Sequence, residues 1–211
     1  MKRRLTVALI VAALLWFYMF SPWTAGRPNF WIVMSVSAVV LTTLTITFTP
    51  DCASLAKVEK PLLQLVGGVV IAFALWGVFW VGDKLSSIMF SFARPEVDAV
   101  YAMKTEMPPL VIAVLLLVLI GPAEELFWRG YVQRTLAKLL PGRRASDMAF
   151  VMTTVVYALI HVWSLNFMLV MAALVAGCVW GFIFRLYPKA LLALIVSHAL
   201  WDALVFVILP I

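Results

Sequence analysis

Residues 109–140 read PLVIAVLLLVLIGPAEELFWRGYVQRTLAKLL. The first fifteen positions carry no charge, and then two adjacent carboxylates, Glu124 and Glu125, stand in the run, with Arg129 one helical turn further on. A helix of about 20 apolar residues crosses the ~30 Å hydrocarbon layer of a bilayer, and this run is long enough to do so. A charge placed inside that layer costs at least ~2.5–3.5 kcal/mol, so intramembrane ionisable residues usually face a bundle interior and carry function. The stretch therefore predicts both a membrane span and a polar site within it.

The rest of the chain agrees with a membrane setting. It has 211 residues, 65% hydrophobic and 12% charged, with a mean hydropathy of +1.07. Soluble domains carry roughly a quarter charged residues. Hydropathy places spans at residues 5–20, 30–48, 61–81, 109–140, 146–165, 166–187 and 190–209. No dyad alternation of polar and apolar residues suggests a transmembrane barrel. The expected fold is an all-α integral membrane protein, a multi-pass transmembrane helix bundle of about seven spans. Residues 83–106 form the one substantial polar connection, where a short interfacial helix is expected; an eighth span there would undo the charge asymmetry across the bundle and is discounted. Met1-Lys2-Arg3-Arg4 before an apolar stretch is reminiscent of a signal peptide, but the stretch is long for one and no small-x-small site follows, so it reads as an uncleaved first span.

Charge placement orients the bundle. With the N-terminus inside, one side carries Lys2, Arg3, Arg4, Lys57, Lys60, Arg134, Lys138, Arg143, Arg144, Arg185 and Lys189, and the other Arg27, Lys84, Arg94 and Lys104. Eleven against four is the asymmetry expected for a cytoplasmic N-terminus. The net charge of +6 is explained by that rule rather than by nucleic-acid binding. No Gly-rich phosphate loop, zinc-finger spacing or RNA-binding signature is present. The two cysteines, Cys52 and Cys178, imply no disulfide framework.

The ionisable residues inside spans are Glu124, Glu125, Arg129, His161, His198 and Asp202, and they include both histidines of the chain. Glu125 and Arg129 are four apart and share a helix face, as do His198 and Asp202. Tyr157 lies four before His161. Gly121-Pro122 should loosen the helix just before the glutamates, because proline lacks a backbone donor. Ala173, Gly177 and Gly181 recur every fourth residue, which lets helices approach closely. An H-E-x-x-H zinc site is missing. Ser197 is adjacent to His198 in sequence and cannot face it across a helix, and only one buried aspartate is available. What remains is a carboxylate acting as general base on water, assisted by histidine. Metal-assisted activation stays open, because His and Glu are competent zinc ligands.

These residues resemble a known family. Glu124-Glu125-Leu126-Phe127-Trp128-Arg129 resembles the E-E-x-x-x-R motif of the CAAX protease and bacteriocin-processing (CPBP) intramembrane proteases. Tyr157-Ala158-Leu159-Ile160-His161 resembles the second motif, F-x-x-x-H, and His198-Ala199-Leu200-Trp201-Asp202 the third, H-x-x-x-N or H-x-x-x-D. The resemblance covers residues 109–206 and divides the chain into N-terminal spans with the polar connection (1–108) and a catalytic helix bundle (109–211). It implies an intramembrane endopeptidase of glutamate or metal-dependent type, with a divalent metal such as zinc as the open cofactor question. It implies a membrane-associated peptide or protein substrate, the lipid bilayer as partner and no nucleic acid, in a bacterial inner (cell) membrane. By the same resemblance Glu124 is the general base and His161 positions the water. Glu125 and Arg129 organise the site, and His198 and Asp202 stabilise the tetrahedral intermediate or orient the water. Asp202 departs from the common asparagine, and an ionised aspartate cannot donate to an oxyanion. The competing functions are a non-catalytic binding or immunity protein and a proton-coupled transporter; no inverted repeat supports the latter.

Overall fold

A computed structural model describes residues 1–24, 26 and 29–211; Arg27, used above for the charge asymmetry, lies outside the described residues. The regular structure of the described residues is helical, with no strand among them. Among the described residues, seven helices are long and apolar enough to cross a membrane: α1 (Lys2–Phe20), α2 (Phe30–Phe48), α3 (Pro61–Met89), then α5 (Pro109–Leu139), α6 (Ala145–Ser164), α7 (Phe167–Leu186) and α8 (Leu191–Ile208). The short helix α4 (Ala93–Ala102) occupies the polar connection. The multi-pass bundle read from hydropathy is thus the observed fold.

Local chemistry sets the ends. Asn29 caps α2 by accepting the Ile32 N–H at 3.1 Å, and Asn166 caps α7 through the Leu169 N–H at 2.8 Å; such caps satisfy amides that have no helical partner. Pro61 and Pro109 stand in the first turns of α3 and α5, where a missing N–H costs nothing. Leu165 takes a left-handed φ of 52° and separates α6 from α7.

The third span departs from expectation. It runs to Met89 rather than ending near residue 81. The extra turns are held by Asp83, which is buried and paired with Lys84 at 3.2 Å and with Arg94 of α4 at 3.1 Å. A compensated acid allows the helix to continue past the apolar segment.

α3 also shows why this protein needs lipid. Its buried residues are Gln64, Gly68, Ala72, Leu75 and Asp83, while Leu62, Leu63, Val66, Val70 and Phe73 are exposed. A soluble helix would turn the large apolar residues inward. Here the small and polar residues face protein and the large ones face outward, as membrane packing requires.

α8 is the most enclosed span. Two close approaches lock it in place. A Cβ on Gly68 of α3 would come within 2.6 Å of the Ala193 carbonyl, and one on Gly121 of α5 within 2.6 Å of the Ala199 Cα. The second contact sets the register of α5 against α8: Glu125 lies one turn after Gly121, and His198 adjoins Ala199.

α5 is wound unevenly. Its segments Leu116–Ile120 and Leu126–Gln133 are π-helical, on either side of Gly121–Glu125. The Gly121 N–H reaches back five residues to the Leu116 carbonyl. The loosening expected at Gly121-Pro122 takes this form, and π turns often accompany functional sites. A third π segment, Leu204–Ile208, follows Asp202 in α8.

Two apolar clusters flank α5 and α8. One joins Trp16, Trp31, Leu41, Ile112, Ile120, Phe127 and Trp128; the other joins Ala72, Leu75, Trp180, Phe184, Leu194 and Trp201. Both draw on residues from either side of position 108. The polar connection is tied down over one end of the bundle. Asn29 donates to the Glu106 carbonyl (2.8 Å), Trp31 to the Met103 carbonyl (2.9 Å), Tyr101 to the Val205 carbonyl (3.1 Å), and Asn166 to the Glu96 carbonyl (2.8 Å). The Glu96 carboxylate accepts the Met168 N–H at the start of α7, where the helix dipole favours a negative charge.

The close approach at Gly121 yields a test. Gly121→Ala should destabilise the fold by about 1–3 kcal/mol, the usual cost of overpacking. Gly67→Ala, whose added Cβ meets nothing within 4 Å, should be neutral or slightly stabilising. Thermal unfolding in detergent compares the two.

Candidate active site

The sequence placed six ionisable residues inside spans, and all six are buried. Tyr157 of α6 touches Glu124 and His161, and the other four, Glu125, Arg129, His198 and Asp202, form one contact network between α5 and α8. Its centre is Glu125, whose Oε1 accepts from Arg129 Nη1 at 2.7 Å and lies 2.8 Å from His198 Nδ1. The i, i+4 pair Glu125–Arg129 is therefore formed as expected. His198 also faces Asp202, with Nε2 3.5 Å from Oδ2. The imidazole thus stands between two carboxylates, and a neutral ring could donate to only one of them. Its nearer acid is Glu125 on another span, not Asp202 on its own.

Arg129 is held on several sides. Nη2 donates to the Gly177 carbonyl at 3.4 Å, and the guanidinium carbon lies 5.2 Å from the Tyr157 ring centroid and 5.6 Å from that of Trp180, within the range of cation–π attraction. Gly177 and Gly181 serve this end of the site through their carbonyls. Thr154 also donates to Gly177 at 3.2 Å, and Gln133 donates to Gly181 at 2.8 Å. Trp180 stacks on His198 with centroids 3.9 Å apart and donates to Ser197 Oγ at 3.0 Å. Ser197 thus faces Trp180, away from any nucleophilic role.

The two glutamates have different surroundings. Glu125 is completely enclosed, while Glu124 keeps 5% of its surface exposed. Glu124 Oε2 accepts the Tyr157 hydroxyl at 3.0 Å, and among the described residues its Oε1 has no hydrogen-bond partner. Tyr157, which the sequence put on the face of His161, reaches both motifs: its hydroxyl serves Glu124 and its carbonyl lies 2.7 Å from His161 Nδ1.

His161 sits in the last turn of α6, a 3₁₀ segment Ile160–Ser164. Its second nitrogen, Nε2, accepts the indole N–H of Trp16 at 3.0 Å. Sequence reasoning missed Trp16, which belongs to α1. The available signal was its register: Leu5, Ala8, Ala12, Trp16 and Met19 form the buried face of α1, and the two alanines mark the side that packs closely.

The donor set does not fit a zinc ion in this arrangement. A carbonyl can only accept and an indole can only donate, so both nitrogens of His161 are committed. Both nitrogens of His198 face carboxylates. Among the described residues, no three His, Cys, Asp or Glu side chains are grouped to hold a metal.

Residues 106–204 match the family model described as Type II CAAX prenyl endopeptidase Rce1-like. This part of the chain is similar to that family. The Rce1-like segment contains all six residues of the three motifs and agrees with the resemblance read from them. It leaves out α1 to α4, and with them Trp16. No curated protein matches the chain, and no solved structure matches it.

Removing one partner of a buried ion pair costs about 3–5 kcal/mol, because the other charge is left uncompensated. Arg129→Leu should therefore destabilise the protein by that order, and Arg129→Leu combined with Glu125→Gln by less than Arg129→Leu alone. Unfolding midpoints in detergent decide this.

Proposed function

We propose that this chain is an intramembrane endopeptidase that hydrolyses a peptide bond of a membrane-associated substrate, with Glu124 as the general base on water. The observation that carries the reading is the contrast between the two glutamates within an Rce1-like segment. Each glutamate has one oxygen without a hydrogen-bond partner among the described residues, but Glu124 keeps a residual opening and is held by Tyr157 alone, whereas Glu125 is sealed and committed through Oε1 to Arg129 and His198.

The reaction follows from these roles. Glu124 Oε1 takes a proton from water as the water oxygen bonds to the peptide carbonyl carbon. The tetrahedral intermediate collapses with cleavage of the C–N bond. Glu124 returns the proton to the departing nitrogen, leaving a carboxylic acid and an amine. Tyr157 donates its hydroxyl proton to Glu124 Oε2 and holds the base in place. Glu125, Arg129, His198 and Asp202 fix the electrostatic setting without reorganising, which is how preorganised sites lower barriers. His161 belongs to the water-positioning side of the site. Asp202 orients His198, since an ionised carboxylate cannot donate to an oxyanion.

The setting proposed is a bacterial inner membrane with the N-terminus in the cytoplasm. In support, Lys57, Arg134 and Lys189 gather around one cleft at the end opposite the polar connection. Leader peptides, sorting signals, prenylated tails and anti-sigma factors are the substrate classes to screen.

The test is a cleavage assay in proteoliposomes with a library of membrane-anchored peptides. Wild type should cleave at least one, and Glu124→Gln should lose at least 100-fold of that rate, the scale of general-base catalysis, while remaining folded. Equal rates would end the reading. Rigorous treatment with a chelator should leave wild-type activity intact; loss restored by zinc would replace the glutamate mechanism with a metal-dependent one.

A further inference from the structure

Among the described residues, His161 is the one motif residue whose side-chain donor, Trp16, comes from outside the Rce1-like segment. Its hydrogen bonds define its chemical state. Nδ1 lies 2.7 Å from the Tyr157 carbonyl, which only accepts, so Nδ1 carries the proton. Nε2 lies 3.0 Å from the Trp16 indole nitrogen, which only donates, so Nε2 is bare. The two contacts select the same neutral tautomer, and together they leave the ring no free lone pair. The enclosure is aromatic. The Trp16 ring meets His161 edge-on at 5.9 Å, Phe20 lies at 5.7 Å and Tyr157 at 5.2 Å. Trp16 itself is buried. Next to it, Phe17 packs edge-on against Trp163 at 5.1 Å, so α1 and the last turn of α6 meet along a seam of aromatic edges with a single side-chain hydrogen bond across it.

We propose that Trp16 is a positioning residue of this site. Its indole N–H fixes His161 as the Nδ1–H tautomer and withholds Nε2 until the indole withdraws. The proposal rests on the endopeptidase reading for its catalytic consequence: His161 can accept a hydrogen bond from the attacking water only after the cap has opened. The cap itself is a property of the resting structure and can be measured without turnover. It also explains how a site with a committed histidine remains usable, because α1 contributes one withdrawable donor rather than a carbonyl of the same helix.

The experiment uses the full chain in detergent micelles and two variants that lack the N–H. One is Trp16→Phe. The other replaces Trp16 with benzothienylalanine, which keeps the bicyclic shape and guards against a packing defect. Nitrogen-15 spectra of the histidines report tautomer and hydrogen bonding, with His198 as internal reference. Diethyl pyrocarbonate, which adds an ethoxycarbonyl group to a bare ring nitrogen, reports access to Nε2 by mass spectrometry. Wild type should show the Nδ1–H tautomer with a hydrogen-bonded Nε2 and resist labelling at His161. Both variants should lose the Nε2 hydrogen-bond shift and label several-fold faster. In the cleavage assay their kcat should rise by about three- to ten-fold at unchanged KM, the effect of one hydrogen bond that no longer has to break. Unchanged spectra and labelling in both variants would overturn the cap, as would a fall in kcat in both folded variants. A wild type that cleaves nothing would end the endopeptidase reading, while the spectra and labelling would still decide the cap.

Discussion

The site depends on a single carboxylate. Glu125 presents one oxygen to Arg129 on its own helix and to His198 on α8, in a place no water-facing surface reaches. An isolated ionised acid there would be prohibitive in energy. Paired on both sides, it becomes the joint that holds α5 to α8 and leaves its neighbour Glu124 turned toward Tyr157. The joint requires backbones that come close, and Gly121 against Ala199 supplies that approach. Glu124 and Glu125 lie in the regular α-helical segment between the π turns, where neighbouring side chains point about 100° apart, so adjacent glutamates serve different partners.

The bilayer shapes the rest. Lipid offers no hydrogen bonds to stray backbone groups, so the irregular turns of α5 and α8 lie against other protein segments. Carbonyls near these close contacts find side-chain donors: Gly177 receives Thr154 and Arg129, Gly181 receives Gln133, and Val205 receives Tyr101. The small residues of α7 thus do two things at once. They admit Tyr157 and Phe150 to close contact, and they expose backbone acceptors that polar side chains of α5 and α6 use.

Much of this was legible in the sequence. Span number follows from apolar length, and the pairing of Glu125 with Arg129 follows from a four-residue spacing on a helix. Spacing along a chain is silent about contacts between chain-distant spans. Nothing in residues 190–209 says that His198 meets Glu125 more closely than Asp202, since that depends on the register set by Gly121 and Ala199. Trp16 was hidden for a related reason: a tryptophan in an apolar span is ordinary, and only its partner makes it part of the site. The overrun of α3 to Met89 was missed because hydropathy stops at the first charges, whereas Asp83 is neutralised by Arg94 from a helix that hydropathy does not register. The Rce1-like match and the three motifs locate the same residues, but they are equally silent on α1.

The central claim is that Glu125 and His198 are energetically joined across α5 and α8. A double-mutant cycle on unfolding free energy measures that directly, using Glu125→Gln, His198→Gln and the double variant in one detergent. The account predicts a favourable coupling of about 1 kcal/mol or more, within the range for contacting polar residues. Additive effects, with no coupling beyond about 0.3 kcal/mol, would contradict it.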